Sequence, residues 1–241
     1  RTNAITRIGL IVPSEESLPY WKARFTEQNV YHLEISVYAG SPALKFMDPE
    51  GLQLVLVAAN EKKQDFWQTW EKSAVPAEHQ IQGLGPVEMT VRRPEKLASL
   101  LVDMFGYTEV SRSGHTAVFQ SVPGEMFGEI VVKQMEGPKE RPGRGSIHHL
   151  AIRARNEEEL RYWDEQVRAR GFRSSGIIDR YYFKSIYFRE SNGILFEIAT
   201  DEPGFLVDGN IDTLGEQLDL PPFLESRRAE IEKNLKLLDK D

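Results

Sequence analysis

Ser146-Ile-His-His-Leu-Ala-Ile-Arg-Ala-Arg155 repeats, 142 residues further on, the apolar pattern of Ala4-Ile-Thr-Arg-Ile-Gly-Leu-Ile-Val-Pro13, and that recurrence decides the fold. The offset then persists without an insertion: Tyr20-Trp21 falls on Tyr162-Trp163, Phe46 on Phe188 and Gly51 on Gly193. Between the two copies, Leu84-Gly-Pro-Val-Glu-Met-Thr-Val91 opens a third, weaker one. Its helix runs from about Pro94 to Phe105 and leads through Gly106-Tyr107 into strand-like Ala117–Ser121 and Gly128–Lys133. The chain therefore reads as three modules.

Each module reads as a strand, a helix and a run of strands. In the last, Ile147–Arg153 alternates as a strand, and Asn156 with Glu159 three residues later is a capping-box signature. Leu160, Trp163 and Val167 then mark one helical face up to Gly171. The strands that follow are Ile177–Ile178, Lys184–Glu190 and Ile194–Thr200. Glu190-Ser-Asn-Gly193, matched by Asp48-Pro-Glu-Gly51, predicts a type I turn closed by a left-handed glycine. That turn pairs residue 190 with 194, and so sets Tyr187 opposite Glu197.

The expected class is α+β: tandem βαβββ modules over 1–60, 81–136 and 146–205, with curved mixed sheets forming cups. Residues 61–80, containing Phe66, Trp67 and Trp70, form a connecting helix or arm, and 137–145 a flexible linker that lacks the spacing of a P-loop. Residues 206–241 form a C-terminal extension whose helix spans about Phe223 to Leu238, amphipathic through Ile231, Leu235 and Leu238.

The 241 residues, 40% hydrophobic and 28% charged, describe a folded chain of one to two ordinary domains. No apolar run of about 18 residues exists to span a bilayer as a helix. A net charge of −7 argues against duplex nucleic acid as a partner. Zero Cys excludes disulfides, thiolate zinc sites and Cys nucleophiles, and points to a cytoplasmic location. Any metal must then use His, Asp and Glu.

Of five His residues, only His148 and His149 sit in a strong strand. Alternation puts His149, Ala151 and Arg153 on one face and His148 on the more apolar other, which favours His149 for a cavity and a structural role for His148. Glu197 is one carboxylate within the apolar run 194–199 and needs a partner. The same positions of the first module hold Arg7 and Val55, so the scaffold is shared while the ligand chemistry belongs to one module.

These residues carry a family likeness. The βαβββ module, the hairpin ending in Gly193 and the His149/Glu197 pair resemble the vicinal oxygen chelate superfamily of glyoxalases, fosfomycin-resistance proteins and extradiol dioxygenases. The segment Asp179–Phe205 resembles more specifically the ring-cleaving dioxygenases of hydroquinones and catechols. The resemblance implies two modules closing a cup around a metal held by two His and one carboxylate, a facial triad suited to Fe(II), with Mn(II) as the alternative. It implies His149 and Glu197 as two ligands and Tyr187 as the residue that hydrogen-bonds substrate oxygens. Arg153 binds an anionic substrate or pairs with a carboxylate, and Tyr182 and Lys184 flank the entrance.

The second His belongs on the first strand of a partner module, where this chain offers Arg7 or Pro86. Neither is a metal ligand. Three modules and two ligands together lead to the expectation of a fourth module of roughly 65–75 residues, upstream of Arg1 and bearing a His on its first strand. A small aromatic substrate and O2 are the implied partners, and a homodimer is compatible with the pattern. The implied activity is a metal-dependent extradiol-type dioxygenase, the alternatives being a glyoxalase-like isomerase or lyase and a non-catalytic small-molecule-binding protein.

Overall fold

The computed structural model describes residues 1–59, 68–143 and 145–236. The first module is β1 (Ala4–Val12), α1 (Ser17–Glu27), β2 (Ser36–Tyr38), β3 (Ser41–Met47) and β4 (Gln53–Ala58). The second is β5 (Gly83–Val91), α2 (Pro94–Asp103), β6 (Thr108–Ser113), β7 (Thr116–Gln120) and β8 (Ile130–Gln134). The third is β9 (Leu150–Ala154), α3 (Glu157–Ala169), β10 (Ile178–Asp179), β11 (Phe183–Arg189) and β12 (Leu195–Pro203). The repeat thus yields three βαβββ modules, and the α+β class with mixed sheets is what the chain adopts.

The first two modules share one eight-stranded sheet in the order β2-β3-β4-β1-β5-β8-β7-β6. Within each, the first and last strands run parallel, β1 with β4 and β5 with β8. The two first strands, β1 and β5, join antiparallel at the middle. Strand order is therefore mirrored about that seam. The third module makes its own four-stranded sheet, β10-β11-β12-β9.

Two compact units emerge from the packing: residues 1–150 with 189–196, and 151–188 with 197–241. In the first, Leu18 and Phe25 of α1 bury against Leu44, Leu56 and Ala58, while Tyr38, Val55, Val118 and Val131 fill the inner face of the sheet. In the second, Leu160 and Val167 of α3 are fully buried, as are Ile186 and Ile198. Each such side chain contributes about 1.5–3 kcal/mol.

The local signals act as their chemistry requires. The Asn156 side chain accepts from the Glu159 backbone N–H at 2.9 Å and caps α3. Glu159 does not close the box on Asn156; its carboxylate accepts from the Arg155 N–H at 2.7 Å. At the hairpin, Gly193 takes φ +93° and donates to the Glu190 carbonyl at 2.7 Å. Glu190 Oε1 accepts from the backbone of Asn192 and Ile194 at 2.9 and 3.1 Å. Asp48 does the same for Glu50 and Leu52 in the first module.

Three boundaries differ from expectation. The strand expected over Ile147–Arg153 begins at Leu150, leaving His149 just before it. Residues 61–67 of the expected connecting helix lie outside the described residues, and 68–80 is irregular but for a single 3-10 turn at Ala77–His79. The terminal helix is split into a 3-10 turn at Pro222–Arg227 and α4 (Arg228–Asn234), its expected end lying outside the described residues. Among the described residues no helix is long and apolar enough to cross a membrane.

Candidate active site

β12 carries Glu197, 4% exposed, and the hairpin register brings β11 beside it. Tyr187 donates its hydroxyl to Glu197 Oε1 at 2.6 Å, the juxtaposition that the turn at 190–193 predicts. A carboxylate buried in an apolar run thereby gains a charge-assisted donor, the condition for keeping it inside. The Arg180 guanidinium stands over the Tyr187 ring at 5.4 Å and holds the ring in place.

Glu197 also lines a cavity of about 380 Å³, together with Ala151, Tyr182, Phe183, Ala199 and Phe205. Ala151 on this wall agrees with the alternation that puts residues 149, 151 and 153 on one face. Tyr182 packs on Phe205 at 5.0 Å, and the Asp208 carboxylate beside it pushes its hydroxyl up to about 12, so it remains a proton donor. Tyr181 donates to Asp208 at 2.7 Å, and this too raises its hydroxyl.

The expected residues do not all meet at this wall. Arg153 pairs with Asp201 at 3.0 Å, both side chains largely exposed, which is the carboxylate-pairing alternative of the two. Lys184 points the other way and forms an ion pair with Glu157 at the start of α3, holding that carboxylate below the usual range. The reason is parity: Lys184 is three residues from Tyr187 and so on the opposite face of β11. His149 stands immediately before β9, the strand next to β12, with its Nδ1 2.9 Å from that of the exposed His148. Sequence reasoning missed Arg180, Phe205 and Asp208. Only Arg180 had a signal, since the 142-residue offset sets it where Tyr38 stands in the first module.

The corresponding region of the first two modules is an ion pair. Arg7 lies opposite Glu88 of β5, in a stretch where bulges between Ile5 and Arg7 and between Ile8 and Leu10 interrupt the register. Pro86 instead crowds Gly9, where an added Cβ would meet its ring at 2.7 Å. Glu88 accepts from Arg7 Nη1 at 3.0 Å, Tyr38 at 3.2 Å and Thr6 at 2.9 Å. Burial, then the Glu88 charge, pushes the Tyr38 hydroxyl far above its ordinary value.

An imidazole and a carboxylate are the donors an Fe(II) or Mn(II) site of this kind uses. Among the described residues no group of three His, Asp or Glu side chains is assembled to hold a metal.

A family model described as "Glyoxalase/Bleomycin resistance protein/Dioxygenase superfamily" matches residues 83–198. The chain is 48% identical over 241 residues to a Bacillus subtilis (strain 168) protein named "Putative ring-cleaving dioxygenase MhqA", covering 98% of this chain and 76% of that protein. It is 25% identical over 222 residues to the chlorohydroquinone/hydroquinone 1,2-dioxygenase of Sphingobium indicum, covering 89% and 68%. A crystal structure named as a "putative dioxygenase" from Bacillus subtilis subsp. subtilis str. 168 superposes with a TM-score of 0.90 and 32% identity, over 99% of this chain and 75% of that one.

Proposed function

Because the chain belongs to the glyoxalase/bleomycin resistance protein/dioxygenase superfamily, we propose that it carries out the O2-dependent ring cleavage of a catechol- or hydroquinone-like aromatic with Fe(II) or Mn(II). The observation that carries this reading is the Tyr187–Glu197 hydrogen bond at 2.6 Å to a carboxylate that lines a cavity of small-molecule size. In this reading His149 and Glu197 hold the metal, and a His from another module or a second copy, set beside β9 as β5 is set beside β1, completes the triad. The chemistry supplied by the bound metal is orientation of both reactants and stabilisation of oxyanion charge.

The chain's own residues do the rest. Tyr187 holds a proton at Oη, beside the ligand carboxylate, and turns it to a substrate oxygen as charge develops there. Arg180 limits the swing of its ring. Tyr182 and Phe205 give the aromatic substrate a flat apolar wall, and Arg153, when it leaves Asp201, offers a cation to an anionic substituent.

The test is O2 consumption with a panel of hydroquinones and catechols by protein purified without chelators, with Fe and Mn measured on the same samples. Substrate-dependent O2 uptake, with metal lost in His149→Ala, is the expected result. Retained metal without O2 uptake on any diol overturns the dioxygenase reading in favour of an isomerase or lyase. Absence of metal from both proteins leaves a binding protein.

A further inference from the structure

We propose that the cup formed by β1, β5 and β8 is a second binding site, which takes a small organic acid through its carboxylate. The cup is packed with Tyr38, Val55, Val118 and Val131 on its inner face, yet beside Arg7 and Glu88 it opens into a cavity of about 370 Å³. That volume suits a small ligand. Its walls are of two kinds: Ile5, Leu52 and Met135 are apolar, while Lys133 offers a donor, the hydroxyl protons of Thr6 and Thr90 being engaged with Glu88 and with each other.

Charge decides the ligand. Glu88 already accepts from Arg7, Tyr38 and Thr6, so its negative charge is matched inside the cup. Lys45, whose Nζ stands 5.5 Å over the Tyr38 ring, and Lys133 on the cavity wall have no carboxylate partner among the described residues. At the rim Arg1 pairs with Glu140 at 3.4 Å and cancels. The cavity wall therefore carries one cation in excess, Lys133, and Lys45 adds a second beside Tyr38. Burial, then the positive charges of Arg7 and Lys133, holds Lys45 below its ordinary value against the opposing pull of Glu88. Arg7 Nε is a buried donor without an acceptor among the described residues. A bound carboxylate would supply the missing charge, and its apolar body would meet Ile5, Leu52 and Met135.

Sodium benzoate is the probe, with benzyl alcohol as its neutral counterpart, followed by calorimetry and by methyl NMR shifts in low-salt buffer. The expected result is saturable one-to-one binding with shifts at Ile5 and Met135, no saturation by benzyl alcohol, and affinity unchanged in Tyr187→Phe. Lys45→Gln combined with Lys133→Gln should weaken benzoate about tenfold. Lys133 is exposed, so Lys133→Gln alone carries the test if the double variant folds poorly. Absence of saturable binding, equal affinity for the alcohol, or benzoate affinity indifferent to both lysine substitutions overturns the proposal.

Discussion

The first module and the third hold different chemistry on the same positions. Tyr38 and Lys45 of one stand where the other has Arg180 and Tyr187. In each a cation lies over an aromatic ring, at 5.5 Å for Lys45 on Tyr38 and 5.4 Å for Arg180 on Tyr187, with the two roles exchanged between strands. The exchange redirects the phenol. Tyr38 donates to Glu88, a carboxylate of the neighbouring module, at 3.2 Å, whereas Tyr187 donates to Glu197 of its own module at 2.6 Å. The backbone fixes where a cation and a ring face each other; which strand carries the hydroxyl decides whether it reaches a carboxylate of the neighbouring module or of its own.

The comparison breaks most visibly at Glu197 and Tyr187. Glu197→Gln should lower O2 uptake by about a hundredfold or more and reduce bound metal, whereas Tyr187→Phe should cost about a hundredfold in kcat with metal content unchanged, as steady-state rates and elemental analysis will show. Equal metal loss in both would assign Tyr187 to positioning the ligand.

Removing the charge in the other cup should instead be read in stability. Arg7→Met leaves Glu88 buried without its cation and should cost about 3 kcal/mol in denaturant unfolding, with much of the loss recovered in Arg7→Met/Glu88→Met. A third buried carboxylate sharpens the point. Among the described residues Glu129 has only the Gln120 amide, at 2.7 Å, and burial pushes it up to about 7. The folded chain then keeps a proton that the unfolded chain loses near its ordinary 4.5, so stability falls as pH rises from about 4.5 to about 7 and levels off above. Glu129→Gln should match the parent protein below that window and exceed it by about 3 kcal/mol at pH 8 in paired denaturation curves. The smallest effect is expected at the cap of α3: Asn156→Ala should cost about 1 kcal/mol, measured as a lowered Tm.

How far the sequence could be read depended on what kind of signal each feature left. The 142-residue repeat made the modules legible, and the turn at Glu190–Gly193 made the Tyr187–Glu197 contact legible, because loop length fixes register. Glu88 left no such signal, because two bulges interrupt the β1–β5 pairing around Arg7 and no turn fixes its register there. Lys184 was assigned to the entrance against its own parity, since an odd spacing from Tyr187 turns it toward α3. Arg153 was left between two fates, and an Asp at 201, on the neighbouring strand, decides for the ion pair in this structure. The contacts among Tyr182, Phe205 and Asp208 depend on an irregular return of the chain after β12, for which periodicity gives no rule.

The hairpin at Glu190–Gly193 has a consequence for how this module can vary. Its carboxylate binds two backbone N–H groups, and Asn192 is tied through both side-chain atoms to the backbone of Arg93, at 3.0 and 3.1 Å. The loop's length is thereby clamped at both ends of its arc. A one-residue insertion would send every later side chain of β12 to the opposite face, carrying Glu197 away from Tyr187 in a single step. Substitutions in this loop are graded changes that selection can weigh one at a time, but a change of length is all-or-none, so the segment should drift in composition while its residue count stays frozen.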